Sequence, residues 1–176
     1  DGSNSYTFHM SEDTYDVRGG QWNYIDKDGK IVIDSRFSAA GLFSQGLAPA
    51  AVGSNQGTNQ PDKWGFINSD GDFTIKPQFN AVHAPSEDCA AVQFGSWKKI
   101  GKGYQSWIVG KWGYINGKGR TLIKPQYQGA DRFSEGLASV LVDEKYGYIN
   151  KQGEMVIEPK YRASGEFHEQ LAPVQP

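Results

Sequence analysis

One pattern occurs four times along the chain, and that recurrence constrains the fold more than any other feature of the sequence. Residues 21–34 read QWNYIDKDGKIVID, 63–76 KWGFINSDGDFTIK, 111–124 KWGYINGKGRTLIK and 145–158 KYGYINKQGEMVIE. The copies open on Trp22, Trp64, Trp112 and Tyr146, at intervals of 42, 48 and 34 residues. Fifteen positions after each lead residue comes another aromatic: Phe37, Phe79, Tyr127 and Tyr161. The segments FSQGLAPA (43–50), PSEDCAAV (85–92), FSEGLASV (133–140) and FHEQLAPV (167–174) then fall at one common offset. Units this small cannot bury a hydrophobic face alone, so the copies must stack.

Each segment of the pattern has a physical reading. The lead run alternates, is rich in β-formers and returns through Ile-Val-Ile or its equivalent, which predicts a hairpin. Asp26, Asn68, Asn116 and Asn150 are placed to hydrogen-bond the turn backbone, and Gly29, Gly71, Gly119 and Gly153 to supply positive φ. Gly65, Gly113 and Gly147 sit mid-strand, where a large ring over bare backbone would offset the lost pairing. Pro77, Pro125 and Pro159 are expected to end the second strand. The Phe-Ser-Glu-Gly turn and a Leu-Ala-x-Val third strand complete a three-stranded antiparallel unit.

The fold class is therefore all-β, a tandem array of four such units. The expected divisions are an N-terminal strand or cap at 1–20 and copies at 21–62, 63–110, 111–144 and 145–176. Tyr15 to Arg18 could form a third strand feeding Trp22, capping the array or pairing with the last copy. An open, curved array is favoured, and a closed four-unit ring of propeller type is the alternative. The aromatics fit this organisation, since fifteen of the 23 recur at four offsets and read as core.

The same residues resemble the WG repeat family of bacterial proteins, also written KWG. The strings that carry the resemblance are KWGFINSDG, KWGYINGKG and KYGYINKQG, followed by IKPQF, IKPQY or IEPKY and then FSEGLASV. It covers roughly residues 21–176. Copy one departs from it at Asn23 and Ser35, and copy two at Pro85-Ser-Glu-Asp-Cys. The resemblance implies a repeat scaffold without catalytic residues, and it brings no substrate.

Charge and composition narrow the partners. A net charge of −2 supplies no basic stripe for nucleic acid. Mean hydropathy is −0.60 and apolar runs are short, so no membrane insertion is expected. Cys89 is the one cysteine, which fits a reducing compartment and also a secreted protein without bridges. The compartment stays open, with the cell envelope preferred to the cytoplasm. The chain begins at Asp1 rather than at methionine, so an upstream segment is expected to have been removed or omitted.

The copies differ most in the connection after the third strand, near 51–62 and 93–110, and insertions at one point of the unit should emerge on one side of the array. The first, AVGSNQGTNQPD, reads as a polar loop. The second, QFGSWKKIGKGYQSWIVG, reads as a hairpin turning at Gly101-Lys102-Gly103, with Trp97 opposite Trp107. Its Trp97, Lys98, Lys99, Lys102, Tyr104 and Trp107 are the candidate partner-binding residues.

No catalytic, cofactor or metal site is expected. His9, His83 and His168 lack zinc-ligand spacing. Cys89 stands where the other copies have leucine, so it reads as a buried thiol. The Ser-Glu pairs at 86–87 and 134–135 are adjacent on one turn and make no triad, and recurrent Glu87, Glu135 and Glu169 read as solvated. Gly117-Lys118-Gly119 is too short for a phosphate loop. Three functions remain to be weighed: a protein-binding scaffold first, a glycan or cell-wall module second, and a hydrolase built across repeats last.

Overall fold

The computed structural model describes residues 14–16, 21–53, 62–99 and 106–176, and these form strands and turns with no helix. The first copy holds β2 (Trp22–Ile25), β3 (Ile31–Phe37), β4 (Ala39–Gly41) and β5 (Ala48–Val52), preceded by β1 (Thr14–Asp16). The second holds β6 (Lys63–Ile67), β7 (Phe73–Phe79), β8 (Ala81–Val82) and β9 (Cys89–Lys99). The third holds β10 (Ser106–Asn116), β11 (Thr121–Tyr127), β12 (Gly129–Ala130) and β13 (Leu137–Val142). The last holds β14 (Lys145–Asn150), β15 (Met155–Tyr161), β16 (Ala163–Ser164) and β17 (Val174–Gln175).

The sheets do not coincide with the copies. Each copy carries a fourth, very short strand after the second, and pairing crosses the copy boundary. The antiparallel orders are β1-β4-β5-β6-β7, β11-β10-β9-β8 and β12-β13-β14-β15. Each of these sheets joins the short and third strands of one copy to the lead hairpin of the next. Two half-sheets are left over, β2-β3 at the start and β16-β17 at the end, and they are not paired with each other. The array is open, and the closed ring is not the arrangement adopted. Strand β1 does not feed β2 either; it pairs with β4, Tyr15 opposite Ala40.

The hairpin turns follow the sequence closely. Asp26 Oδ1 accepts the amides of Asp28 at 3.0 Å and Lys30 at 2.9 Å, and Asn68, Asn116 and Asn150 repeat both bonds. Gly29, Gly71, Gly119 and Gly153 take φ near 80° (81, 83, 78 and 82). Two expectations need correction. The prolines do not end the second strand: β7, β11 and β15 each run two residues past theirs. Trp64 pairs with Phe79 and Phe66 with Ile75, so two extra residues bulge from β7 and Pro77 lies within the bulge. A missing amide is harmless there. The same bulge explains the mid-strand glycine. A Cβ on Gly65 would stand 2.4 Å from the Ile75 carbonyl oxygen, and on Gly113 2.6 Å from that of Ile123. Close backbone, rather than an overlying ring, demands glycine.

Three apolar clusters make the core, and each is completed by the following copy. Phe66, Ile75, Phe79, Val82, Ala90 and Val92 of copy two enclose Ile115 of copy three. Likewise Ile67 closes the cluster of copy one and Ile149 that of copy three. The lead aromatics are half-buried, while Phe66, Tyr114 and Tyr148 two positions later are fully buried; in copy one Trp22 and Tyr24 are both half-buried at the cluster margin. Burying the hydroxyl of that inner ring needs a partner. Tyr24, Tyr114 and Tyr148 donate to the carbonyls of Gly41, Asp131 and Gly165 at 2.9, 2.8 and 2.9 Å. Burial pushes Tyr24 up to about 12 and Tyr114 further still.

Candidate functional site

The second insertion builds a two-stranded arm. At the junction of copies one and two, five residue pairs link β5 to β6; between copies three and four, six pairs link β13 to β14. Between β9 and β10 there are eleven, from Asn116 opposite Cys89 to Ser106 opposite Lys99. Phe94 and Lys111 correspond to Val142 and Lys145, where the shorter hairpin already turns. Five further pairs carry the arm beyond that level by about 17 Å at ordinary strand rise. The first insertion lies in the β5–β6 connection, at the same topological point, with 54–61 outside the described residues.

The register of the arm differs by one residue from the expected one. Trp97 pairs with Ile108 and Trp107 with Lys98, so the two tryptophans are not opposite each other. The expected turn at Gly101-Lys102-Gly103 lies outside the described residues, but the pairs leave an even number of residues between Lys99 and Ser106 where that turn requires an odd one. Trp97, Lys98, Lys99 and Trp107 are thus brought onto one hairpin, while Lys102 and Tyr104 lie outside the described residues.

At the opposite end of the units, successive turns are tied together. Gln45 Oε1 accepts the amide of Asp88 at 3.0 Å, Glu87 that of Gly136 at 3.1 Å, and Glu135 that of Gln170 at 2.8 Å. Ser86 and Ser134 donate to the carbonyls of Phe133 and Phe167 at 2.8 and 2.5 Å. Glu87 also receives Lys151 at 3.1 Å. Glu87 and Glu135, which the sequence suggests are merely solvated, are links between copies. Only their recurrence hinted at it.

A family model for the WG containing repeat matches residues 22–55, 64–96, 112–146 and 146–175. The chain belongs to the WG repeat family. Comparison with curated proteins and with solved structures gave no match. The four family matches begin at Trp22, Trp64, Trp112 and Tyr146, the lead residues of the copies.

Two further places in the WG array gather polar or reactive groups. A groove of about 520 Å³ runs between turns and is lined by Leu47, Phe66, Ile75 and Cys89, among others. The next copy repeats it with Cys89, Tyr114, Ile123 and Phe133. Both are largely apolar. Cys89 faces them with a thiol that burial pushes up to about 11, so it is not a thiolate at neutral pH. Just past β12 and β16, Arg132 forks onto Glu166, Nε to Oε1 at 3.0 Å and Nη2 to Oε2 at 3.1 Å. Beside this pair, burial and Glu166 raise Asp131 to about 6, against Arg132 and Ser139. Burial and Arg132 lower His83 to about 4. His83 is therefore a neutral ring resting 5.2 Å from Trp112. These groups hold one another across copies two, three and four. Among the described residues no three His, Cys, Asp or Glu converge as a metal cage.

Proposed function

We propose that this WG repeat chain is a non-catalytic scaffold that binds another protein, with the β9–β10 arm as the contact surface. The carrying observation is the arm itself: eleven cross-strand pairs where the neighbouring junctions have five and six. A two-stranded ribbon without further strands is marginally stable, and the array closes equally well with the shorter hairpin at Asp143-Glu144. The extension therefore serves something other than folding. Residues 93–110 carry two Trp, a Tyr and three Lys with no acidic residue, which suits an acidic protein face.

The test replaces 95–110 by Asp-Glu, giving the β9–β10 junction the length of β13–β14. The shortened chain should keep its far-ultraviolet spectrum and melting cooperativity while losing whatever purified protein the intact chain retains. Equal retention by both forms would place the contact elsewhere. Retention on insoluble polysaccharide, lost with the arm, would assign the surface to glycan instead.

A further inference from the structure

We infer that Lys63 is a positioning residue that aims the β9–β10 arm, holding it across a glycine pivot at its root. The inference rests on the reading of the arm as the contact surface, and it adds what fixes the direction in which that surface is presented.

The root is where the sheet loses its flanks. Strand β8 pairs with β9 only at Val92 and Gln93, and β11 reaches along β10 no further than Trp112. Phe94 still belongs to the core, packed on the copy-two cluster with its ring 5.2 Å from Phe79. The next pair outward is Gly95 opposite Gly110. From that pair on, the ribbon has two strands only among the described residues. Facing glycines make no cross-strand side-chain contact, and such contacts are what stiffen a sheet. The backbone excludes anything larger there. A Cβ on Gly110 would stand 2.4 Å from the Phe94 carbonyl oxygen and 2.9 Å from Gln93 Cγ. The arm therefore leaves the array through a bare two-stranded neck, and such a neck sets no firm direction by itself.

One side chain spans the neck. Lys63, at the start of β6, donates Nζ to Asn80 Oδ1 and to the Gly95 carbonyl oxygen, the latter at 3.5 Å. Asn80 directly follows β7 and is only 7% exposed. An ammonium can only donate, so the carboxamide oxygen of Asn80 must face it. That orientation leaves Asn80 Nδ2 buried with no partner among the described residues. An unpaired buried donor is costly, and what the carboxamide supplies in exchange is the acceptor that anchors Lys63. The link is particular to this junction. Lys111 and Lys145 stand where Lys63 stands, and Gln128 and Arg162 where Asn80 stands. In copy three Gln128 Oε1 accepts the Glu144 amide directly, at 3.4 Å, at the short turn. Asn80 is shorter by one methylene and faces a longer connection, which it reaches through Lys63.

Double electron–electron resonance on the whole chain tests this, with spin labels at Lys99→Cys on the arm and at the exposed Lys76→Cys on β7, in a Cys89→Leu background. With Lys63 in place, one narrow distance distribution is expected. Lys63→Met keeps an aliphatic stem but donates nothing. Its distribution should broaden and shift, while the far-ultraviolet spectrum and melting cooperativity stay those of the folded array. Lys63→Arg supplies donors for both oxygens and should restore the narrow distribution. No partner is present in the measurement, so its outcome is independent of whether the arm proves to be the contact surface. Identical distributions for Lys63→Met and its parent, a parent already as broad as the variant, or no recovery with arginine overturns the inference.

Discussion

The carboxylate of Glu87 accepts the backbone amide of Gly136, 49 residues further along, with Oε2 at 3.1 Å. The bond couples the turn of one copy to the turn of the next, and Lys151 from the copy after that closes on the same carboxylate. Stacked repeats are stabilised largely by such nearest-neighbour terms.

Glu87→Ala should lower unfolding free energy by about 1 kcal/mol, the ordinary value of a hydrogen bond that leaves an amide unpaired. Glu87→Gln should lose less, because Gln45 makes the same bond with an amide oxygen. The hydrogen bonds from Gly136 and Lys151 outweigh desolvation and hold Glu87 below the usual carboxylate range. Its contribution is therefore complete above the ordinary value near 4.5 and disappears as pH falls through the lower folded one. Urea unfolding of both variants at pH 7 and at low pH checks this. Equal midpoints for Ala and wild type at neutral pH would remove the link.

The glycine after the lead aromatic gives a sharper contrast. Gly113→Ala puts a methyl 2.6 Å from the Ile123 carbonyl oxygen, which is backbone and cannot rotate away. A loss of about 2–3 kcal/mol is expected, at the upper end of overpacking costs. Gly117→Ala meets only Leu47 Cδ1 at 3.6 Å and should stay within about 0.5 kcal/mol of the wild type. Nothing among the described contacts accounts for Asn23 at this position in copy one. Thermal melts of the pair decide the matter, and similar melting temperatures would mean the bulge is pliable.

Local chemistry was legible in the sequence, and pairing between copies was not. The Asp26 and Asn68 turns, the positive φ of Gly29 and the buried rings at Phe66 and Tyr114 follow from residue type and spacing alone. Sheet membership does not, because the third strand of a copy pairs equally well with its own hairpin or the next one in any reading by pattern. The choice is made by Ile67, Ile115 and Ile149, which close the core of the copy before their own. The proline misreading has the same origin: Pro77 looks terminal until the bulge that spares its missing amide is seen. Along the arm, a one-residue difference in connection length moved Trp107 from Trp97 to Lys98.

Two half-buried groups should make stability respond to pH in opposite directions. Asp131, raised to about 6, keeps a proton in the folded chain that the unfolded chain releases near 4, so it weakens the fold as pH climbs through that window. His83, lowered to about 4, refuses a proton that the unfolded chain takes near 6.5, so it strengthens the fold as pH climbs. Asp131→Asn should remove the first effect. The variant should be more stable than wild type at pH 7, by about 1–2 kcal/mol, and its stability should rise more steeply from pH 4 to 6.5. His83→Gln should leave the downward trend alone. Parallel pH profiles for the three proteins would show that neither group is buried as described.

Cys89 offers a test of repeat equivalence. It occupies the offset of Leu47, Leu137 and Leu171, it is 5% exposed, and its thiol sits near 11. Alkylation requires the thiolate and access to it, so iodoacetamide at pH 8 should label the folded chain at least ~100-fold more slowly than the chain in urea. Cys89→Leu restores the side chain of the other copies and should keep stability within about 1 kcal/mol of the wild type. Its Sγ gives up only a 3.5 Å contact with the Ser86 carbonyl, whose main-chain bond to the Cys89 amide survives the exchange. Rapid labelling of the native chain would mean that the groove between these turns opens readily. A large loss in the leucine variant would mean that copy two packs differently from its neighbours.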